Sequence, residues 1–150
     1  MESIGRVLAV CVSERKGTPK HDVGQAELRA DWGIVGDAHA GHWHRQVSLL
    51  AWESIEKMRA KGLNVHAGSF AENITTEGLV LHTLPIGTRL RIGSALAEVT
   101  QIGKICHDRC AIYYQAGDCV MPREGIFVRI LEPSLVKVGD RVEILTEAKE

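Results

Sequence analysis

Residues 88–102 read TRLRIGSALAEVTQI, two short β-type runs divided by Gly93. In the first, Leu90 and Ile92 alternate with Arg89 and Arg91, as in a strand with one face turned to a core. The second mixes Ala, Val and Thr with polar residues in the same manner. Similar runs lie on both sides: ENITTEGL at 72–79, GIFVRIL at 125–131 and DRVEIL at 140–145. Upstream, RVLAVCVS (6–13) and QVSLL (46–50) are rich in β-favouring residues and read as further strands. Many short strands with glycine-marked turns predict a mainly β fold, a barrel or a sandwich.

Ile86-Gly87-Thr88-Arg89-Leu90-Arg91-Ile92 shares its pattern with Val138-Gly139-Asp140-Arg141-Val142-Glu143-Ile144. Two tight turns feeding alternating strands account for the likeness without a repeat architecture. One helix is predicted, over AWESIEKMRAKG (51–62), with helical spacing at Ile55, Met58 and Arg59 and with Gly62 placed to end it. The polar stretch ERKGTPKHD (14–22) reads as a loop and TEAKE (146–150) as a frayed tail.

A chain of 150 residues, 45% hydrophobic, is long enough for one core and too short for two, so a single domain over 1–150 is expected. No apolar run approaches the roughly 20 residues of a membrane-spanning helix, and no export signal is evident. A net charge of −1 with scattered basic residues leaves no footprint for nucleic acid. The chain has 4 cysteines, far below the density of a disulfide scaffold, so reduced thiols and a cytoplasmic setting are expected.

The densest chemistry lies in KICHDRCAIYYQAGDC (104–119). Cys106, His107 and Cys110 fall within five residues, and Lys104, His107 and Arg109 put positive charge beside the thiols. Such charge favours thiolate, a nucleophile and a soft metal ligand. Three readings follow: a structural zinc site, a redox pair, or one working thiolate with helpers. Zinc needs a second ligand pair that no spacing supplies, and the Cys106–Cys110 spacing is wrong for a redox motif. Cys119, beside AIYY, and Cys11, within the first strand, read as core cysteines.

A second segment, GIVGDAHAGHWHRQVSLL (33–50), gathers Gly36, Asp37, His39, His42, His44 and Arg45. Histidines two or three apart suit a metal, while a glycine-rich loop with an arginine suits an anion. In GSFAENITTEGL (68–79), Glu72 and Asn73 either fix a loop through bonds to backbone groups or touch a ligand. Arg123 and Glu124 stand just ahead of a strand, as an exposed ion pair would.

Taken together, GIVGDAHAG with HRQVSLL, GSFAENITTEGL, LPIGTRLRIG, EVTQIGKICHDRC and PREGIFVRIL resemble the MOSC family, named for the molybdenum cofactor sulfurase C-terminal domain. The resemblance covers nearly the whole chain and is strongest to small free-standing bacterial members. It implies a barrel-like β fold with one or two short helices and a pocket for the pterin-bound molybdenum cofactor. It also implies a cysteine, Cys106 or Cys110, that carries persulfide sulfur or ligates molybdenum. A position like Cys106 is similar to that of YiiM-like members, whereas Arg109-Cys110 resembles the Arg-Cys pair of the amidoxime reductases.

On this resemblance Cys106, Cys110 and His107 are the candidate catalytic residues, with the two cysteines as candidate metal ligands. Gly36, Asp37, His39, Arg45, Glu72, Asn73, Lys104, Arg109 and Arg123 are the candidate cofactor contacts. The chain lacks the cysteine-desulfurase domain of the full sulfurase, so a separate sulfur donor and a molybdoenzyme or cofactor-biosynthesis partner are expected. Two other functions stay open: a molybdenum cofactor-dependent reductase of N-hydroxylated compounds, and a zinc-stabilised β binding module with His39, His42 and His44 among its ligands. Exposed edge strands leave room for a homodimer.

Overall fold

In a strand side chains alternate between two faces, so a run such as Leu49-Leu50 serves two cores only if something covers each face. The computed structural model, which describes residues 3–103 and 121–145, shows how this is met. Strand β1 (Ile4–Val12) leads to β2 (His21–Asp22), β3 (Gln25–Arg29) and β4 (Gly33–Ile34). Then come β5 (Val47–Ala51), α1 (Trp52–Arg59), β6 (Ile74–Glu77), β7 (Arg89–Ile92) and β8 (Ala95–Ile102). A four-residue helix α2 (Met121–Glu124) precedes β9 (Ile126–Glu132), β10 (Ser134–Lys137) and β11 (Arg141–Ile144).

Seven of these strands close on themselves in the order β11, β7, β8, β9, β5, β6, β1, with β1 pairing back onto β11. The fold is thus mainly β, a barrel, as expected. Closure comes from β1 serving two neighbours along its length: Ile4 to Arg6 pair with Glu143 to Arg141, and Arg6 to Val10 pair with Glu77 to Ile74. Closure gives each of the seven barrel strands a neighbour on both sides. The two similar heptapeptides meet here as neighbours, Val142 opposite Ile92 and Ile144 opposite Leu90. Each is entered by a turn whose glycine is left-handed, Gly87 at φ 97° and Gly139 at φ 96°.

Among the described strands only β5 and β6 run parallel, and a parallel pair needs a crossover of a dozen or more residues. Residues 52–73 supply it, which is why the helix stands where it does. Helix α1 buries Ile55 and Met58, while Arg59 is exposed and lies 5.8 Å over the Trp52 ring. Its apolar stripe meets Leu50, Val65, Phe70 and Phe127 on the outer face of the barrel. Inside the barrel, Leu49, Ile74, Leu90, Ile92, Val99, Ile126, Val128 and Val142 form the main core. Strands β10, β3 and β4 make a second, three-stranded sheet that sends Leu28, Ile34 and Val136 into that same core. Strands β2, β3, β4 and β10 were not legible in the sequence, and β2 ends the stretch 14–22 that reads as a loop.

Candidate functional site

Five adjacent strands carry a row of residues across one rim of the barrel. Asn73, at the entry to β6, donates Nδ2–H to the Cys11 carbonyl at 3.0 Å, and its Oδ1 accepts the Ser48 N–H at 3.0 Å. Ser48 pairs with Phe127, and Phe127 with Gln101. Over this row folds the loop between β4 and β5. A turn closed by the Asp37 N–H on the Ile34 carbonyl, with Gly36 at φ 91°, sends the chain inward. Side chains other than glycine rarely adopt that backbone angle.

The space between loop and row is a cleft of about 160 Å³. Lys16, His39, Trp43 and Arg45 line it on the loop side, and Ser48, Ala71, Asn73 and Phe127 on the barrel side. Arg45 donates Nε–H to Gln101 Oε1 at 3.1 Å and lies 5.2 Å above the Phe127 ring. The Lys16 ammonium stands 4.6 Å from the Trp43 ring, and the Trp43 indole N–H donates to the His39 carbonyl at 2.8 Å. Two cations and two aromatic faces therefore border the cleft, with no carboxylate among its described lining residues.

Behind the cleft lies a buried ion pair that the sequence did not reveal. Lys20 Nζ and Asp37 Oδ1 are 2.8 Å apart, and both side chains are 0% exposed. Asp37 also accepts the backbone N–H groups of Ser13 at 3.1 Å and His39 at 3.0 Å. Burial alone pushes the Asp37 carboxyl up, but the hydrogen bond and charge of Lys20, with the two amides, outweigh it and hold the group below its ordinary value. In sequence Lys20 is one more lysine in a polar stretch. Its signal, proximity to Asp37, arises only in three dimensions.

Glu72 is fully buried within its own loop. Its carboxylate accepts from Gly68 N at 2.8 Å, Phe70 N at 3.2 Å and Thr75 Oγ1 at 2.8 Å. Desolvation raises its pKa despite these bonds. Gly68 is required in that loop: a Cβ there would run into the Lys20 carbonyl oxygen. Glu72 thereby holds the loop that delivers Asn73 to the cleft. Cys11 is buried, and burial, with the charges of Glu72 and Asp22, pushes its thiol up to about 12, against a smaller lowering by Lys20. It is a core cysteine, as its strand position suggests.

The histidines of the loop part company. His39 joins the cleft, His42 faces Asp31 at 3.3 Å, and His44 Nε2 meets Gln101 Oε1 at 2.9 Å. Among the described residues no three His, Cys, Asp or Glu side chains come together to hold a metal ion. Arg123, in α2, is exposed. Its neighbour Glu124 is buried, accepting from Ser54 Oγ at 2.5 Å and Lys57 Nζ at 2.8 Å, which ties α2 to α1. Lys104, Cys106, His107, Arg109, Cys110 and Cys119 lie outside the described residues.

A seven-stranded barrel with an external helix crossover and a cation-lined rim cleft defines a small β-barrel domain. The sequence profile of the MOSC domain matches residues 36–143, and the chain belongs to that family. In structure it is similar to the YuaD protein of Bacillus subtilis, at a TM-score of 0.78 with 16% identity, covering 96% of this chain and 97% of that one. It is also similar to YiiM of Escherichia coli, at 0.65 with 20% identity over 97% and 72% of the two chains. YiiM of Geobacillus stearothermophilus gives 0.69 with 17% identity over 95% and 75%. Among curated proteins none matches the chain. No described helix is long and apolar enough to cross a membrane.

Proposed function

We propose that the rim cleft binds the molybdenum cofactor and that Cys106 or Cys110 presents a thiolate to it, for sulfur carriage or as a molybdenum ligand in cofactor sulfuration or delivery. The observation that carries this reading is the cleft's lining: Arg45 and Lys16 beside the aromatic faces of Trp43 and Phe127, with no described carboxylate. That donor set fits the group. Guanidinium and ammonium suit a phosphate, and a flat ring system suits aromatic faces. When bound, the cofactor supplies a molybdenum centre that takes a soft sulfur ligand.

The residues of this chain do the rest. Arg45 carries five N–H donors, of which Gln101 engages one, so the guanidinium serves both the barrel wall and a ligand. Asn73 and Ser48 bind each other and stiffen the cleft floor. Phe127 and Trp43 supply apolar surface to its walls. Chain connectivity supports the part given to the cysteines. Gln101, which holds Arg45 and His44, also donates to the Gly103 carbonyl at 2.7 Å, and the Gly103 N–H is fixed on the Gly125 carbonyl at 2.6 Å. Cys106 follows Gly103 by three residues, a reach of at most about 11 Å. His107, Lys104 and Arg109 then bias the thiols toward thiolate. Sulfur comes from a separate cysteine desulfurase or other donor, and a molybdoenzyme or cofactor-biosynthesis protein receives the product.

The test is to express the chain in a host that makes the cofactor, purify it without chelators, and measure molybdenum, zinc and oxidised-pterin fluorescence per protein. Cys106→Ser, Cys110→Ser and Arg45→Ala are run beside it. Pterin with molybdenum, with the metal lost in one cysteine variant and the pterin weakened by Arg45→Ala, supports the reading. Pterin without dependence on Arg45 moves the site elsewhere, and zinc without pterin refutes cofactor binding.

A further inference from the structure

The side-chain amide of Gln101 has one orientation. Arg45 Nε only donates and the Gly103 carbonyl only accepts, so Oε1 faces the arginine at 3.1 Å and Nε2 faces the carbonyl at 2.7 Å. His44 Nε2, 2.9 Å from the same Oε1, therefore carries a proton. Both lone pairs of that oxygen are then taken. The preceding residue, Thr100, donates to the His44 carbonyl, so β8 grips the rim loop at two successive positions.

Arg45 is held on two sides by this arrangement, its Nε edge on the Gln101 oxygen and its face 5.2 Å over the Phe127 ring. Neither support carries a charge. Arginines elsewhere sit on carboxylates instead: Arg6 on Glu77 at 3.0 Å, Arg91 on Glu132 at 3.1 Å and Arg129 on Glu98 at 2.8 Å. The two terminal NH₂ groups of Arg45 bond nothing among the described residues. The cleft that Arg45 borders has no carboxylate among its described lining residues, so the positive charge there is not neutralised from within.

We infer that Gln101 is a positioning residue that fixes Arg45 without neutralising it, so that the cleft takes an oxyanion end-on across the two terminal NH₂ groups. The inference deepens the proposed function, since it rests on the cleft being the ligand site. A guanidinium can grip an anion side-on, through Nε–H and one NH₂, or end-on, through both NH₂ groups. Gln101 has taken Nε–H, which leaves the end-on fork. That fork needs two oxygens on one centre, as a phosphate or phosphomonoester offers. A carboxylate at 101 would still hold the arginine but neutralise it, whereas an apolar side chain would leave the charge and lose its placement.

The experiment follows the Arg45 Nε–H by ¹H–¹⁵N correlation in the full chain near neutral pH, assigned by its absence in Arg45→Lys, while inorganic phosphate is titrated in. The unmutated protein is expected to show a slowly exchanging Nε–H and to bind phosphate; a fast-exchanging Nε–H, or no phosphate binding, overturns the inference whatever the variants do. Gln101→Glu is expected to keep the Nε–H signal and to bind phosphate about tenfold or more weakly, the scale of one hydrogen bond to a charged group. Gln101→Met is expected to lose the signal to exchange and to weaken phosphate about twofold to tenfold, the scale of ordering one long side chain on binding. A merely structural glutamine would make these two variants alike in signal and in affinity, and that result removes the role given to Gln101. Arg45→Lys keeps the charge without the fork, and phosphate binding as tight as in the unmutated protein refutes the end-on grip. Failure of the cofactor reading is seen separately, as absent pterin and molybdenum, and leaves the phosphate result standing.

Discussion

Replacing Asp37 by Asn removes one charge from the pair behind the cleft and leaves the Lys20 ammonium buried without a counter-charge. The carboxylate accepts from Lys20 Nζ, Ser13 N and His39 N at 2.8, 3.1 and 3.0 Å. An amide keeps only one of its two acceptor positions and turns an N–H₂ toward the remaining donor. Breaking a buried pair from one side costs about 3–5 kcal/mol, against a total stability on the order of 5–15 kcal/mol. In urea, with a slope of about 1–3 kcal/mol/M, the unfolding midpoint falls by about 1 M or more at unchanged slope. The double variant Asp37→Asn with Lys20→Met loses less than the two single changes added, because the stranded charge is gone. The net lowering of the Asp37 pKa also sets the sign with pH. A carboxyl depressed in the folded state stabilises above its unfolded value of about 3.9, and this is lost as pH falls through the folded value. The deficit of Asp37→Asn therefore shrinks in acid. A cost under about 1 kcal/mol near neutral pH, or strict additivity in the double variant, would refute the argument.

Three further outcomes are expected. The Cys11 thiol, pushed up to about 12 and fully buried, stays unmodified by iodoacetamide in the native protein and reacts only after unfolding, as peptide mass spectrometry would show. Ala71 sits in the left-handed region at φ 63°, so Ala71→Gly raises stability by about 1 kcal/mol in chemical denaturation; a loss would mean that its methyl packs usefully against the cleft. Burial pushes the Glu124 carboxyl up, but hydrogen bonds from Lys57 and Ser54 bring it below its ordinary value. Glu124→Gln thus costs about 1 kcal/mol at neutral pH, most of it from Ser54 because Lys57 is half-exposed, and the cost fades as pH falls through the folded pKa; a pH-independent cost would reject the ionised form.

What the amino-acid order determined by itself was local. Alternation in TRLRIG and GIFVRIL assigned strands because side chains in a strand face opposite sides. The spacing of Ile55 and Met58 assigned the helix, and left-handed glycines such as Gly87 and Gly139 marked turns. Family motifs brought out His39, Arg45 and Asn73, and the structure brings these three to one cleft. Strands β3 and β10 escaped notice because Gln25–Arg29 and Ser134–Lys137 are short and largely exposed, so each is a strand mainly by pairing with the other. The sharpest contrast is between Lys16 and Lys20, four residues apart in one polar stretch. Lys16 is exposed at the cleft mouth, while Lys20 is buried against Asp37, 17 residues away. No local pattern separates them, because a buried charge is tolerated only where distant groups supply its partner, and that partner exists only once the barrel and its rim loop have folded together.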